Sequence, residues 1–226
     1  STNLCKEALK NTKAFNCSVV FANANTGEVL ISAEEMSEKE FINIDLISSR
    51  AQYEPGSSFK IFSIGLALEQ DLIDEETEFY VQDKIELIEN SCQKNFKGYK
   101  GCYRDFLKHD PYILSVKEII ERSSNVGTIM ATQELNISDL ENYLKKYGFI
   151  QKTGIELSGE SKGSFDSYKK CTTCLSSLSI GYSVNVTQMQ MVKAYSIIAN
   201  GGKDIDLTVV KSPYVNKIQN QVLSIN

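Results

Sequence analysis

The sequence contains a single histidine, His109. Cys171-Thr172-Thr173-Cys174 has the spacing of half a zinc site or a redox pair. No second pair of suitably spaced ligands accompanies it, so a metal centre lacks donors, and no cofactor is expected. No run approaches the ~20 apolar residues that cross a membrane. No signal peptide is recognisable either; the chain opens on polar, helix-like sequence from Ser1 to Lys13. The protein is therefore either cytoplasmic or directed by export and anchoring signals outside this stretch. Long basic runs are missing and the net charge is −5, which argues against nucleic acid as a partner. Repeats, low-complexity blocks and interdomain linkers are also absent.

What remains is an ordinary globular composition, 42% apolar and 23% charged over 226 residues, enough for one sizeable core. The six cysteines are Cys5, Cys17, Cys92, Cys102, Cys171 and Cys174. An even count permits up to three disulfides in an oxidising compartment, and unpaired thiols in a reducing one. Cys92 and Cys102 flank a glycine-containing loop and can close a short ring.

Ser1 to Phe15 reads as a helix leading inward. Ser18-Val19-Val20-Phe21 and Val29-Leu30-Ile31 read as a hairpin around Asn25-Thr26-Gly27. Glu34 to Glu40 reads as a solvated loop or short helix, and Asp74 to Glu76 as a solvated helix start or turn. Phe79 to Asp110 looks irregular and can form the rim of a site. Ser115 to Arg122 has helical spacing, and Ser123-Ser124-Asn125 falls between it and a second helix, Val126 to Leu135. Ser138 and Glu141 read as the capping box of a helix reaching Tyr147. Thr187 to Ala199 is amphipathic and is stopped by Asn200-Gly201-Gly202. Leu207 to Val210 and Val222 to Ser224 have strand composition.

The chain is organised around Tyr53-Glu54-Pro55-Gly56-Ser57-Ser58-Phe59-Lys60. The Pro55-Gly56 turn delivers Ser57 to a run, Phe59 to Leu68, that is apolar nearly all round and reads as a buried helix. Ser57 and Lys60 stand three apart, on one helix face. A hydroxyl beside an amine at a helix start is the layout of an activated serine nucleophile. S-x-x-K arises by chance about once in a few hundred residues, and Ser167-Tyr168-Lys169-Lys170 also fits. Context sets Ser57 apart.

The segment ending in Lys60 resembles the active-site segment of the penicillin-binding protein transpeptidases, particularly class B, which share S-x-x-K logic with serine β-lactamases. Further segments, in the family's order, carry the resemblance from about Asn16 to Gly202. They include Asn25-Thr26-Gly27-Glu28, Arg122-Ser123-Ser124-Asn125-Val126-Gly127, Thr153-Gly154-Ile155-Glu156 and Ser179-Ile180-Gly181-Tyr182. The resemblance implies an α/β (α+β) fold, an antiparallel sheet flanked by helices. It implies that Ser57 attacks the D-alanyl-D-alanine end of a peptidoglycan stem peptide and that Lys60 takes its proton. Ser123 would relay a proton to the leaving amine, and Asn125 would bind the substrate amide. Ser183-Val184-Asn185 also fits S-x-N, but its neighbours match a different family segment.

The family's third motif, K-[ST]-G, lies on a strand edging the site. The one such tripeptide here, Lys152-Thr153-Gly154, comes too early and sits among residues matching a family loop. Lys211-Ser212-Pro213 is no substitute, because proline lacks the N–H a ladder needs. Residues 1–226 are therefore expected to form one transpeptidase domain, incomplete at its C-terminal strands, with no second domain. Expected partners are stem peptides, β-lactams as inhibitors, and glycosyltransferases or other cell-wall assembly proteins. The expected location is the periplasmic or outer face of the cytoplasmic membrane, with the anchor outside this chain. The rival readings are a serine β-lactamase or β-lactam sensor, and a catalytically degenerate cell-wall scaffold.

Overall fold

The computed structural model describes residues 2–37, 47–93, 101–165, 173–211 and 220–223. In chain order the elements are α1 (Thr2–Thr12), β1 (Asn16–Ala22), β2 (Val29–Met36), α2 (Ile47–Arg50), α3 (Lys60–Glu69), β3 (Glu78–Val81), β4 (Lys84–Glu86), β5 (Cys102–Arg104) and β6 (Tyr112–Ser115). There follow α4 (Val116–Arg122), α5 (Asn125–Thr132), α6 (Ile137–Lys146), β7 (Ser164–Phe165), α7 (Cys174–Ser179), β8 (Val184–Asn185) and α8 (Gln188–Ala199). A 3-10 turn, Gly56–Phe59, precedes α3. The architecture is α/β, with antiparallel strand pairs flanked by helices. The chain divides into two compact units, one of Ser1–Tyr53, Leu144–Ser164 and Asn185–Asn226, the other of Glu54–Tyr143 and Phe165–Val184.

The first unit is built on the expected hairpin. β1 and β2 pair antiparallel, with Val19 opposite Ala33 and Phe21 opposite Ile31. The side chain of Asn23 accepts the N–H groups of Asn25 and Thr26. Gly27 completes the turn at φ 71°, where a Cβ would lie 1.9 Å from the Asp206 carbonyl oxygen. Only glycine allows that approach. Ile155, Met189 and Leu207 form the buried centre, with Val20, Val29, Leu157 and Val192 packed against them. Thr187 and Gln190 form a reciprocal capping box at the start of α8, which fixes the helix where the sequence places it.

Three expectations in this unit need correction. Glu34 to Met36 belong to β2 rather than to a loop or short helix, because Glu34 has structural work. Its carboxylate accepts the N–H groups of Ile47 and Ser48, both at 2.8 Å, at the start of α2. Residues 38–46 lie outside the described residues. Leu207 to Val210 is not a regular strand; Thr208 makes a single bridge to Glu28. The Val209 N–H goes to Glu156 and the Val210 N–H to the Thr208 hydroxyl, so side chains take the groups a ladder would use. Val222 and Leu223 donate to the Gly202 carbonyl instead of joining a strand, and Ser224 lies outside the described residues.

The second unit has its core around α3. Ile64, Val81, Leu114, Val116, Ile119 and Val126 are buried together, with Leu68, Ile73, Phe79 and Met130 against them. The region read as irregular contains short antiparallel pairs, β3 with β6 and β4 with β5. Runs of three or four residues are too short to show a period of two. The turn at Asp74 is as expected, closed by Asp74 and Thr77. Ser115 and Glu118 form a complete capping box on α4. On α6 the cap lies two residues earlier than expected: Asn136, not Ser138, accepts the Ser138 N–H through its side chain, at 2.8 Å.

Cys92 and Cys102 are joined, as are Cys5 and Cys17. The first ring, ten residues apart in sequence, ties the base of β5. Opening it by Cys92→Ser/Cys102→Ser should cost about 2–3 kcal/mol through the freed unfolded chain. The loss would be read as a lower denaturant midpoint; an unchanged midpoint would refute it.

Candidate active site

Backbone hydrogen bonding fixes the position of Ser57. Pro55 presets the turn at φ −70°, Gly56 follows at φ 55°, and the Ser58 hydroxyl donates back to the Pro55 carbonyl at 2.7 Å. The segment 179–183 braces this turn from outside. Gly56 N–H donates to the Gly181 carbonyl at 3.0 Å, and Ser183 N–H to the Glu54 carboxylate at 2.7 Å. The Ser63 hydroxyl on α3 donates to the Ser179 carbonyl, also at 2.7 Å. Gly181 sits at φ 79° with its missing Cβ 2.1 Å from the Gly56 carbonyl oxygen, so any side chain there would displace the turn carrying Ser57. Ser183 thus meets the turn through its main chain.

Lys60 is buried, 3% exposed, while Ser57 is exposed one turn earlier. The Lys60 ammonium donates to the Ser123 carbonyl at 2.5 Å and to the Ser123 hydroxyl at 3.2 Å. Burial lowers its pKa from 10.5 to about 8, against an opposing pull from the Asp105 carboxylate. At pH 7 roughly one amine in ten is then neutral, against a few in ten thousand for an unperturbed lysine.

Ser123 ends α4 in the left-handed region, φ 54° and ψ 40°. For a non-glycine residue that conformation costs about 1–2 kcal/mol and has to be held by its surroundings. Ser124 next to it caps α5 by accepting the Gly127 N–H at 2.8 Å. Asn125 begins α5, and its side-chain amide donates to the Arg104 carbonyl at 2.8 Å.

Ser57, Ser123, Ser124, Asp105 and Arg122 line one cavity of about 650 Å³, together with Phe106, Leu107, Lys108, His109 and Tyr112. His109 stacks on Tyr112 with ring centroids 4.2 Å apart, and the Arg122 guanidinium lies 5.2 Å from the Tyr112 centroid. Burial would push His109 down, but the Asp110 carbonyl and the Asp105 carboxylate outweigh it and hold the imidazole above its ordinary range.

The four residues singled out by sequence thus fall in one unit, with Ser57 and Ser123 on one cavity and Lys60 bonded to Ser123. Of the stretch from Phe79 to Asp110 read as a rim, residues 105–109 line this cavity, and Asp105 and His109 carry no motif by which sequence would select them. Lys152-Thr153-Gly154 lies in the first unit in a loop without strand pairing. Its Thr153 N–H, Thr153 hydroxyl and Gly154 N–H all donate to Glu160. Those donors hold a carboxylate of this chain, which accords with setting the tripeptide aside. Ser167 and the residues 212–213 lie outside the described residues. Among the described residues no group of three or more His, Cys, Asp or Glu is placed to hold a metal, and no helix is long and apolar enough to cross a membrane.

The chain is similar to several known proteins. PbpB, a penicillin-binding protein of Mycolicibacterium smegmatis, is 27% identical over 208 residues, 88% of this chain and 30% of that protein. The peptidoglycan D,D-transpeptidase FtsI of Buchnera aphidicola is 30% identical over 200 residues, 85% of this chain and 33% of that protein. The chain thus spans about a third of the length of these relatives. Penicillin-binding protein 3 of Mycobacterium tuberculosis, solved with ampicillin, superposes with a TM-score of 0.79 at 25% identity, over 99% of this chain and 51% of that one. The transpeptidase domain of Burkholderia pseudomallei penicillin-binding protein 3 gives a TM-score of 0.80 at 20% identity, over 98% of this chain and 62% of that one. The family profile described as the penicillin binding protein transpeptidase domain matches residues 17–225. With that match running over nearly its whole length, the chain belongs to the penicillin-binding protein transpeptidase family.

Proposed function

We propose that this chain is the acyl-transfer part of a serine D,D-transpeptidase that cross-links peptidoglycan stem peptides. One observation carries the reading: the amine of a buried lysine touches Ser123, which lines the same cavity as an exposed Ser57.

In this reading the Ser57 hydroxyl attacks the carbonyl of the penultimate D-alanine, and neutral Lys60 takes its proton. The tetrahedral intermediate collapses to an ester on Ser57. The proton passes from Lys60 through the Ser123 hydroxyl to the departing amine, which leaves as D-alanine. Asn125, its amide fixed by the Arg104 carbonyl, offers its oxygen and remaining N–H to the substrate amide. An amine on a second stem then attacks the ester in the reverse proton sequence and forms the cross-link. A β-lactam enters by the same attack and leaves an ester that hydrolyses slowly; in keeping with β-lactam binding, a mycobacterial relative is solved in complex with ampicillin.

The reading carries further proposals. Both units belong to one transpeptidase domain, working at the outer face of the cytoplasmic membrane alongside glycan-polymerising enzymes. An acyl-D-alanyl-D-alanine peptide supplied with an amine acceptor tests the chemistry. Release of D-alanine with transfer to the acceptor is expected, together with a single stoichiometric burst on a chromogenic cephalosporin. Sustained cephalosporin turnover without transfer would favour a β-lactamase, and no reaction at all a scaffold.

A further inference from the structure

We propose that Asp105 is the positioning residue of this site, holding the Ser123–Asn125 segment in its working geometry and setting the electrostatic field at Lys60. The proposal rests on the acyl-transfer reading of Ser57, Lys60 and Ser123.

Asp105 follows β5, and its side chain is only 7% exposed. That one carboxylate accepts four donors: the Ser124 hydroxyl at 2.8 Å, the Asn125 N–H at 2.5 Å, the Val126 N–H at 3.0 Å and the His109 ring nitrogen Nε2 at 3.0 Å. Two of them are free N–H groups at the start of α5, where a negative charge meets the positive end of the helix. The adjacent Arg104 carbonyl takes the Asn125 amide. Two consecutive residues thus grip both the main chain and the amide side chain of the S-x-N segment. Ser123, immediately before that grip, is the strained residue on which the Lys60 amine rests.

Charge adds a second consequence. Lys60 is packed against Ser123, and Asp105 is the carboxylate that favours its protonated form. Asp105 in turn faces His109, which also feels Asp83 and stacks on Tyr112, with Arg122 near the same ring. The carboxylate therefore trades a better-ordered site for a more basic lysine. Asp105→Asn and Asp105→Ala separate the two effects. Asparagine keeps an oxygen for the Asn125 and Val126 N–H groups but carries no charge; alanine keeps neither.

Both variants would be compared with the wild-type chain in two measurements. One is the acylation rate by a fluorescent penicillin from pH 5.5 to 9. The other is the titration of the Lys60 side chain by carbon-13 NMR, which needs no activity. For Asp105→Asn the Lys60 titration and the acid limb of acylation should both move down by at least about half a pH unit, with the plateau rate within a few-fold of wild type. Asp105→Ala should lose at least about tenfold in rate at every pH. If both variants acylate within twofold of wild type and Lys60 titrates unchanged, the proposal is wrong. Equal rate losses in both variants with an unmoved Lys60 would also overturn it, since that is what a purely structural residue gives. Should alanine unfold the chain by circular dichroism, the asparagine variant still decides. Wild-type protein that fails to acylate would refute the acyl-transfer reading, while the Lys60 titration would continue to test Asp105.

Discussion

Ser57→Ala should abolish penicillin acylation, lowering the rate by at least about 10³-fold, because removal of the atom that forms the ester leaves no alternative nucleophile in place. The fold should be unaffected. Ser57 is exposed and its hydroxyl makes no hydrogen bond among the described residues, whereas the turn is held by Ser58, Gly56 and Glu54. Circular dichroism and thermal midpoint should therefore match the wild type while labelling disappears. Residual labelling above a hundredth of the wild-type rate would mean that another hydroxyl carries the reaction.

Lys60→Met should be almost as severe, with a loss of about 10²–10⁴ in acylation, the range for removing a general base. Methionine fills much of the same buried space without a charge to desolvate, so stability should change little. Lys60→Arg should be equally inactive, because a guanidinium stays protonated throughout the accessible pH range. The wild-type pH profile follows from the same amine. Protonated Lys60 cannot accept the Ser57 proton, and burial brings its pKa down to about 8. The rate should rise about tenfold per unit from pH 6 to 7.5 and level off above about 8. A limb still climbing at pH 10 would show that burial does not act on this lysine.

The sequence made some of this legible for clear physical reasons. α3 is apolar on almost every side, as a helix through a core must be, and Phe62, Ser63, Ile64, Leu66 and Ala67 are all buried. The hairpin around Gly27, the helix starting near Thr187 and the ring between Cys92 and Cys102 are local features, written in neighbouring residues. The grip of Asp105 on Ser124, Asn125 and Val126 joins residues about twenty apart, through a hairpin of three-residue strands that leave no periodic trace. The same holds for Glu34 at α2 and Glu160 at Thr153, where a carboxylate reaches backbone N–H groups well away in sequence. A lone acid in a polar stretch reads as solvated until the chain is folded around it. Thr208 failed as a strand residue because its hydroxyl captures the local backbone, a choice that composition does not reveal.

The central claim is that Ser57, activated through Lys60, is the nucleophile of this domain. Peptide mass spectrometry after timed exposure to penicillin across pH 6–9 tests it most directly. The account predicts one adduct per chain, on the peptide containing Ser57 and on that residue, accumulating faster as pH rises and reaching a plateau near 8. An adduct on Ser58, Ser123 or Ser167, or one on Ser57 whose rate ignores pH over this range, would contradict it.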